Sequence, residues 1–441
     1  KLKSRKPGAF AIKRIDQTEY VRPALKATMA IAERFEAKIA IVVLGTALAL
    51  LSCVAAESTD HRRGLSGAGS NVFDVTSYGA KADGHKDNVQ AFMKAWVAAC
   101  KSGGPAKLLI PKGTFVTGPV VFAGPCKGSM TVEVQGTIQA TSDVSEYSSP
   151  EWFSFENLNG LLLNGGGTFD GQGATVWKYN DCKQNSNCQI LPASIKFYIV
   201  NNAEIRGITS LNSKAFHTHV VNCQNFTAHD LNIIAPFNSP NTDGMHISRS
   251  SLVTVSNTKI GTGDDCISIG QGATHVTISN VTCGPGHGIS VGSLGKYNNE
   301  KDVSGIRVTH CTLKSTTNGV RIKTWPGSPP SQASDISFED ITMDSVKNPI
   351  VIDQKYGSHT SAPSKVKISN VRFKNIRGTS TSPVAVSLGC SSLVPCTGVQ
   401  LTDIDLQYKD IDGKGKSISS SCLNAKITCG GKQNPAACDT N

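Results

Sequence analysis

Four polar clusters interrupt the alternating apolar pattern in the middle of the chain, and their residue types suit acid–base chemistry. The clusters are residues 241–244 (NTDG), 263–266 (GDDC), 286–288 (GHG) and 321–323 (RIK). Carboxylates held together at one site repel one another, so at least one of them should have a raised pKa. Hydrolysis of a glycosidic bond requires one protonated carboxyl for the leaving oxygen and one carboxylate base for water.

The spacing of the clusters predicts that their side chains lie on one face of a repeating structure. The apolar positions of successive strands can be aligned as Met245, Ile267, Ile289, Val320 and Ile350. Asp243, Asp265 and His287 then each fall two residues before the aligned position, at intervals of 22 residues. Since stacked strands lie about 4.8 Å apart, these three side chains should form a column along one side of the fold.

Two basic residues should accompany the carboxylates. Arg321 and Lys323 alternate with apolar residues along one strand, so both should point outward beside the same groove. Asp264 projects in a different direction from its neighbour, and Tyr356 follows one coil later, just past its strand. Together with His287 at low pH, the two cations would bind an acidic sugar.

Each cluster also has a simpler interpretation. Asp and Asn at the turns of a repeat usually have a structural role, and a His between glycines is common in turns. An RxK pair on a strand is normally a solvated face. A calcium site formed by Asp243, Asp264 and Asp265 is another alternative. The shared phase of the clusters, and no single motif, favours the catalytic interpretation.

The elements that carry the clusters form a repeat. Copies of a short alternating pattern start at Ala203, Phe226, Val253, Val276, Ile306, Ile336, Val366 and Val399. Alternation indicates short strands, and a period of 23 to 33 residues indicates a solenoid. The LxxLxL spacing of leucine-rich repeats is missing, and a propeller needs about 40–45 residues per repeat. With no helix-length pattern between the strands, the sequence predicts an all-β, right-handed parallel β-helix.

Both ends of a solenoid need a cap. Residues 87–100 show apolar residues at helical spacing, including Phe92 and Trp96, and Asp87 or Asn88 can cap the start of this helix. The two aromatic residues are interpreted as core and not as a ligand site. The cysteine-rich tail after Cys422 should close the other end.

The N-terminal segment has the layout of a secretory signal. Residues 39–51 form an uncharged apolar run, shorter than the about twenty residues of a spanning helix, and small residues follow it. We expect an atypical extension at 1–28, a signal peptide at 29–56, a flexible lead-in at 57–70 and one β-helix domain at 71–441. A buried core helix and a membrane anchor are the alternatives for the apolar run.

Composition excludes several classes of protein. The chain is 39% hydrophobic and 17% charged, which argues against a multi-span membrane protein and against a disordered one. The formal net charge is +11, but part of it lies in residues 1–56. Because no stripe of Lys and Arg interleaved with aromatic residues is found, the sequence predicts no nucleic-acid binding.

Cysteine usage indicates an oxidising compartment. The cysteines lie at short spacings without a CxxC motif, which favours local disulfides over a zinc site. The close groups are Cys182/Cys188, Cys266/Cys283, Cys390/Cys396 and Cys422/Cys429/Cys438. Thirteen of the 14 cysteines lie after the expected signal peptide, so at least one thiol is left over, and Cys223 and Cys311 are the best candidates for buried free thiols. Asn225 and Asn280 begin candidate glycosylation triplets.

The chain resembles the polygalacturonases, family 28 of the glycoside hydrolases. That family's signatures NTDG, GDDC, GHG and RIK all occur here in order, and the similarity extends from about residue 71 to the C-terminus. It includes residues 73–84 (FDVTSYGAKADG) and 167–173 (GTFDGQG). The stretches that are similar to the plant pollen-type exopolygalacturonases are residues 213–217, 283–294 and 353–356.

The resemblance implies a secreted cell-wall enzyme that hydrolyses the α-1,4 bonds of de-esterified pectin with inversion. It implies that Asp264 is the general acid, that Asp243 and Asp265 activate the water, and that His287 supports the protonation of the acid or the charge of the site. The implied substrate-binding residues are Arg321, Lys323, Tyr356, Asn241 and Gly288. We expect a monomer with polygalacturonate as its partner, without a metal or cofactor and without a membrane anchor once the signal is removed.

Three rival functions remain open at this stage. A pectate lyase on the same scaffold would need calcium and a basic residue, and a rhamnogalacturonan hydrolase would act on alternating neutral and acidic sugars. A non-catalytic wall-binding β-helix is the third. Exo action is favoured over endo action. The choice between the two depends on whether loops such as residues 325–334 or 296–303 close one end of the groove. The carboxylates require a partly protonated state, so the sequence predicts an acidic pH optimum.

Overall fold

The structure is a computed structural model that describes residues 71–180, 190–357, 360–409 and 417–438. The predicted extension at 1–28, signal peptide at 29–56 and lead-in at 57–70 lie outside these residues, as does the Cys182/Cys188 pair. No helix within the described residues has the length and hydropathy needed to cross a membrane.

The described part of the chain consists almost entirely of short strands. The first strands are β1 (Val72–Asp74), β2 (Asp83–Asp87), β3 (Ala106–Ile110), β4 (Thr114–Thr117), β5 (Val120–Ala123), β6 (Met130–Val134), β7 (Thr137–Ala140), β8 (Glu151–Asn164) and β9 (Thr168–Asp170). The middle strands are β10 (Ala193–Arg206), β11 (Thr209–Leu211), β12 (Thr218–Val221), β13 (Gln224–His229), β14 (Asn232–Ile234), β15 (Met245–Ser248), β16 (Ser251–Ser256), β17 (Lys259–Gly261), β18 (Ile267–Ile269), β19 (Thr274–Ser279), β20 (Thr282–Cys283) and β21 (Ile289–Leu294). The last are β22 (Val303–Thr309), β23 (Thr312–Lys314), β24 (Asn318–Thr324), β25 (Ser331–Val346), β26 (Asn348–Asp353), β27 (Val366–Ser380), β28 (Val384–Gly389), β29 (Cys396–Tyr408), β30 (Ser419–Leu423) and β31 (Ala425–Asn434).

Helical segments are few among the described residues. The helix α1 spans Val89–Lys101. Single 3₁₀ turns span Val75–Tyr78, Val144–Glu146, Gly173–Thr175 and Trp177–Tyr179.

Each strand pairs in parallel with a strand of the next coil. One face of the solenoid stacks β12, β15, β18, β21, β24, β26 and β28 in that order, and a second face stacks β13, β16, β19, β22, β25, β27 and β29. Inward side chains, mostly Val, Ile, Leu and Phe, form one continuous buried core. The fold is the predicted right-handed parallel β-helix.

The predicted register of the face that carries the four polar clusters is confirmed. Met245 pairs with Ile267, Ile267 with Ile289, and Ile289 with Val320, which pairs with Ile350. All five side chains are completely buried, because each is the inward position of its strand. Their polar neighbours therefore face outward on the same side of the solenoid.

One copy of the predicted repeat is placed wrongly. Ile336 pairs with Val371 and not with Val366, and Val371 in turn pairs with Val399. Residues 366–376 (VKISNVRFKNI) contain the same five-residue pattern twice in succession. The second copy, which starts at Val371, aligns with the other repeats, and the first copy forms the start of the same strand, β27. The polar alternation cannot tell the two copies apart.

Asn and Asp residues mark the bends between faces, as their tolerance of left-handed backbone predicts. Asn280 and Asp340 have φ values of 52° and 56°. The amide of Asn280 also donates to Asn257 of the previous coil over 2.7 Å, and Asn225 donates to Asn202 in the same way. Asn225 and Asn280 are both exposed, and their glycosylation stays a prediction.

The predicted capping helix is confirmed as α1, which packs against the first coils. Trp96 is fully buried, stacks on Phe122 with 4.4 Å between ring centroids, and donates from Nε1 to the carbonyl of Ala123 over 3.0 Å. Asn88 holds the N-cap position, but its side chain does not cap the helix. It bonds instead to the backbone of Lys81 and other residues outside the helix.

The predicted disulfides Cys266–Cys283 and Cys390–Cys396 are present, each tying a turn to the neighbouring coil or loop. Two further disulfides are Cys100–Cys126 and Cys422–Cys438. The second of these links β30 to the segment after β31, so the cysteine-rich tail closes the C-terminal coils as expected. Cys223 and Cys311 are buried free thiols, and Cys429 is a free thiol that is exposed.

We predict that Trp96→Ala lowers the free energy of unfolding by about 3–5 kcal/mol, because it leaves a cavity between α1 and the first coils. Chemical denaturation followed by far-ultraviolet circular dichroism measures this change. The control is Val97→Ala on the exposed side of the same helix, where 43% of the residue is accessible. A similar loss for both variants would show that α1 does not act as a packed cap.

Candidate active site

Three turns on the same face carry the acidic residues and the histidine. Asp243 precedes β15, Asp264 and Asp265 precede β18, and His287 precedes β21. Backbone hydrogen bonds join the turns: Gly244 N–H donates to Asp265 O over 2.9 Å, and His287 N–H donates to Asp264 O over 2.8 Å. The stacked strands thus fix the relative height of all four side chains.

The turn that carries Asp264 and Asp265 leaves no room for a side chain at Gly263. A Cβ atom built there would lie 2.0 Å from the carbonyl oxygen of Ser239, which belongs to the backbone of the preceding coil. The Gly263 N–H donates to the hydroxyl of Thr242 over 3.0 Å. The glycine of the GDDC motif therefore lets the two aspartates approach the coil that carries Asp243.

Asp265 forms the most buried ion pair of the site. Its side chain is only 1% exposed, and it accepts from Arg321 Nη2 over 2.8 Å and from Lys323 Nζ over 2.7 Å. Ser290 donates to the same carboxylate over 2.9 Å. Burial is the largest single influence on the pKa of Lys323 and lowers it, but the charge of Asp265, its hydrogen bond to Lys323 and the influence of Tyr356 together hold that pKa above its ordinary value.

Asp264 faces the opening of the groove. Its side chain is 21% exposed, and Oδ1 lies 3.1 Å from His287 Nδ1. The Asp265 N–H donates to Oδ1 over 2.8 Å, and the Asn241 amide donates to Oδ2 over 3.5 Å. Burial raises the pKa of Asp264, but the hydrogen bond and charge of His287 and the charge of Lys323 outweigh burial and hold the pKa below its ordinary value.

The pKa of Asp243 is shifted in the opposite direction from that of Asp264. Burial is the largest cause that raises its pKa well above the ordinary value, and the charges of Asp264 and Asp265 raise it further. Ser268 donates to Oδ2 over 2.6 Å and opposes this shift, as does the charge of Lys323. At least one raised carboxyl pKa was predicted from the sequence, and the structure identifies the group as Asp243.

Tyr356 forms the wall beside the cations. Lys323 Nζ lies 4.9 Å from the centroid of its ring, and the Arg321 guanidinium carbon lies 5.8 Å from it. Trp325 meets the same ring edge-on at 5.7 Å, and Lys296 Nζ lies 5.3 Å from the Trp325 ring. Lys296 and Trp325 begin the two loops proposed to close the groove, residues 296–303 and 325–334. Both loops therefore reach the side of the groove that Tyr356 forms.

A metal ion is a poor fit to the acidic cluster. Donor atoms of Asp264, Asp265 and His287 lie within 4.8 Å of one another, which is close enough to bind one ion. However, Arg321 and Lys323 already bond to both oxygens of Asp265, and a cation at this point would be repelled by them. The calcium alternative for residues 243, 264 and 265 is therefore disfavoured by the charges of the site.

The structure brings together all the side chains that the sequence assigned to one groove. Hydrogen bonds, ion pairs and ring contacts link Asp264, Asp265, His287, Arg321, Lys323, Tyr356 and Asn241. Asp243 interacts with this group through the charges of Asp264, Asp265 and Lys323. Gly288 differs, because a Cβ there would lie 2.2 Å from the carbonyl oxygens of Asn318 and Gly319, and its φ is 86°. Any contact of Gly288 with a substrate would come from its backbone.

Two features of the site were missed from the sequence. The amide of Asn180 donates to the side chain of Asn241 over 3.1 Å, so the segment before β10 reaches the site. Ser268 and Ser290 each donate to a carboxylate, and they lie one position after the aligned apolar residues Ile267 and Ile289. The strand register predicts that both serines point outward beside the carboxylates, so the sequence could have identified them. The Asn180 contact depends on how a loop folds.

Known proteins share similarity with most of the length of this chain. The family model described as glycosyl hydrolases family 28 matches residues 100–438. The chain is 50% identical over 395 residues to an exopolygalacturonase of Arabidopsis thaliana, covering 88% of this chain and 93% of the relative. It is also 50% identical over 379 residues to an exopolygalacturonase of Platanus acerifolia, covering 85% of this chain and 99% of the relative.

Solved structures share the fold. An endo-xylogalacturonan hydrolase from Aspergillus tubingensis has a TM-score of 0.70 at 25% identity and covers 81% of this chain and 98% of its own. A polygalacturonase from Erwinia carotovora has a TM-score of 0.64 at 22% identity and covers 81% of this chain and 96% of its own. The second likeness supports the β-helix architecture alone.

We predict that Asp243→Asn makes the protein more stable near pH 7 by at least about 1 kcal/mol. The folded protein raises the pKa of Asp243 above 3.8, so ionising this group destabilises the fold as the pH rises from 3.8 through the folded pKa. The gain should therefore shrink as the pH falls toward about 4. Urea denaturation of both proteins across this range measures it.

The matched control is Asp344→Asn, whose side chain is 47% exposed. It should change the free energy of unfolding by less than about 0.5 kcal/mol at either pH. An equal gain from Asp243→Asn at both ends of the range would contradict the raised pKa.

Proposed function

The chain belongs to family 28 of the glycosyl hydrolases, and from this premise we propose that it cleaves the α-1,4-galacturonosidic bonds of polygalacturonate. The proposed reaction inverts the anomeric configuration and releases galacturonic acid from a chain end. The observation that carries the proposal is the pair of cations, Arg321 and Lys323, held by Asp265 beside two carboxyl groups of opposite pKa shift. A neutral polysaccharide has no carboxylate that could pair with these cations.

The cations have donors left for a uronate carboxylate. Asp265 takes one of the three N–H donors of Lys323, and Asp265 with Ser290 takes two of the five of Arg321. The ring of Tyr356 lies beside both groups and gives a sugar an apolar surface. A galacturonate unit bound here would place its glycosidic oxygen toward the carboxyl groups.

Asp264 is proposed as the general acid, because it is the aspartate most accessible from the groove. Burial raises its pKa, but His287 and Lys323 together hold that pKa below its ordinary value. A bound uronate adds a negative charge next to Lys323 and displaces water, and both changes raise the pKa of a neighbouring carboxyl. Substrate binding would thus protonate the acid at the moment when the leaving oxygen needs a proton.

Asp243 and Asp265 are proposed to activate the attacking water. Inversion requires the acid and base carboxyls to be about 6.5–9.5 Å apart, so that a water molecule fits between base and sugar. Arg321 and Lys323 keep Asp265 in place by hydrogen bonds to both of its oxygens. Asp243 has one oxygen bonded to Ser268, which leaves the other for the water.

Exo action is supported by the relatives and by two hydrogen bonds of the segment before β10. The Arabidopsis and Platanus relatives are both exopolygalacturonases. The turn Trp177–Tyr179 and Asn180 lie against the groove, with Trp177 Nε1 donating to Ser213 O over 3.0 Å and Asn180 donating to Asn241 over 3.1 Å. A segment fixed in this way next to Asp243 would stop the substrate chain from extending past it. The alternative of endo action requires that the groove be open there.

Secretion to the cell wall is part of the proposal. The four disulfides of the described residues need an oxidising compartment, and the substrate is a wall polysaccharide. The predicted signal peptide would direct this export.

We predict that the purified protein releases galacturonic acid as its only early product from polygalacturonate. Chromatography of the products against time measures this, and the inversion is checked by the anomeric NMR signal of the first product. Asp264→Asn is the matched control, since it should abolish turnover and leave oligogalacturonate binding nearly intact.

Other products would identify the alternatives. Mixed oligomers at early times would show endo action, and an unsaturated product whose formation stops with a chelator would show a calcium-dependent lyase. Binding without any product would point to a wall-binding protein. Wild-type turnover by Asp264→Asn would overturn the acid assignment.

We predict that Lys323→Ala raises the KM for polygalacturonate about tenfold or more and changes kcat less, because it removes a charged hydrogen bond to the substrate carboxylate. Steady-state kinetics on oligogalacturonates measures both constants. The control is Lys314→Ala, whose side chain is 67% exposed and pairs with Asp344. A fall in kcat at unchanged KM would mean that Lys323 acts only through Asp265.

A further inference from the structure

Two buried serines lie one above the other beside the carboxylates. Ser268 on β18 pairs directly with Ser290 on β21, and both are almost completely buried. Ser268 donates to Asp243 Oδ2 over 2.6 Å, and Ser290 donates to Asp265 Oδ1 over 2.9 Å. Each aspartate proposed to activate water therefore has its own serine.

The oxygen of each serine also lies within hydrogen-bond distance of a side-chain nitrogen. Arg321 Nε donates to the Ser290 oxygen over 3.1 Å, and His246 Nδ1 lies 2.8 Å from the Ser268 oxygen. The two chains of contacts have the same form: a nitrogen donor, a serine hydroxyl and a carboxylate. The guanidinium chain belongs to the substrate-binding cations, whereas the imidazole chain has no role in the reaction proposed for the site.

The hydrogen-bond count fixes the proton on His246. A hydroxyl has one proton to donate, and when Asp243 is ionised, as its proposed role as a base requires, Ser268 gives that proton to Asp243. The Ser268 oxygen can then only accept from the ring, so His246 carries its proton on Nδ1. Burial lowers the pKa of His246 to about 4, and the charge of Lys323 adds to this effect. A neutral imidazole is therefore the donor above that pH.

The imidazole ring is held rigidly by its neighbours. Phe216 stacks on it at 5.0 Å with an angle of 22° between the planes, and His219 approaches at 5.2 Å. A Cβ atom on Gly270 would lie 3.0 Å from Cε1 and Nε2, so the edge of the ring packs directly on this glycine. Such packing leaves the Nδ1–H aimed at Ser268.

We propose that His246 and Ser268 are positioning residues that hold the Oδ2 atom of Asp243 and stabilise its ionised form. Asp243 can then accept a proton from the attacking water in spite of its burial. This inference rests on the proposed hydrolysis and adds two residues to it that do not touch the substrate.

The groups around Asp243 explain why such support is needed. Burial and the charges of Asp264 and Asp265 all favour its protonated form, and Lys323 favours the ionised form. The hydrogen bond from Ser268 acts in the same direction as Lys323. Without it, the balance would move toward a protonated Asp243, which cannot act as a base.

The test is the acid limb of the pH profile of kcat/KM. Ser268→Ala and His246→Phe should each move this limb upward by about one pH unit, because a hydrogen bond to a charged group is lost. The KM at the pH optimum should change little, since neither side chain binds the sugar. Ser268→Thr keeps the hydroxyl and His246→Asn keeps a donor near the Nδ1 position, so both should restore the limb toward that of the wild type.

A second buried serine–imidazole pair provides the control. The Ser210 hydroxyl lies 2.8 Å from His217 Nδ1, and both residues are buried, but among the described residues the pair has no bond to a carboxylate side chain. Ser210→Ala should leave the acid limb in place. Thermal melting of every variant shows which of them fold, and His246→Asn against His246→Phe decides the matter if Ser268→Ala is unstable.

The outcomes separate this inference from the proposed function. An inactive wild-type protein would refute the hydrolysis itself. An active wild type whose acid limb does not move in Ser268→Ala or His246→Phe would overturn the positioning role alone. An equal shift in Ser210→Ala would also overturn it, because the effect would then be a general result of losing a buried hydroxyl.

Discussion

The site depends on one buried charge. Asp265 is almost completely removed from water, and it is tolerated there because Arg321 and Lys323 bond to both of its oxygens. Removing one partner of a buried ion pair costs about 3–5 kcal/mol, since the remaining charge is left uncompensated. The cations come from β24, two coils beyond the strand that follows Asp265, so the stacking of the coils is what holds the pair together.

The parallel β-helix gives the site its precision through register. Met245, Ile267, Ile289 and Val320 are each buried and each paired with the next, and a slip of one residue would turn the inward side chains outward. The hydrophobic core therefore fixes the height and direction of every polar side chain on this face. The same rule applies to Ser268 and Ser290, which lie next to aligned positions.

Apolar alternation was enough to predict the architecture and most of the site from the sequence. Alternation indicated the fold, the aligned positions and the shared groove of the aspartates and cations, and the helical spacing of apolar residues indicated the capping helix with Trp96. The Val366 copy was misplaced because residues 366–376 repeat the same pattern twice, and alternation alone cannot choose between the copies. The contact of Asn180 with Asn241 joins residues from two distant segments through a loop, and loop geometry leaves no periodic signal.

The pKa values of Asp243 and Asp264 are shifted in opposite directions, and neither shift suits the role proposed for its residue. Asp243 holds its proton because it is buried beside two negative charges, whereas Asp264 loses its proton to the influence of His287 and Lys323. An acidic sugar changes both conditions, because its carboxylate offsets the charge of Lys323 and favours the protonated form of Asp264. Repulsion between neighbouring carboxylates then favours an ionised Asp243 once Asp264 is neutral. Binding of a substrate that carries its own negative charge would thus exchange the roles of the two groups, which a neutral sugar could not do.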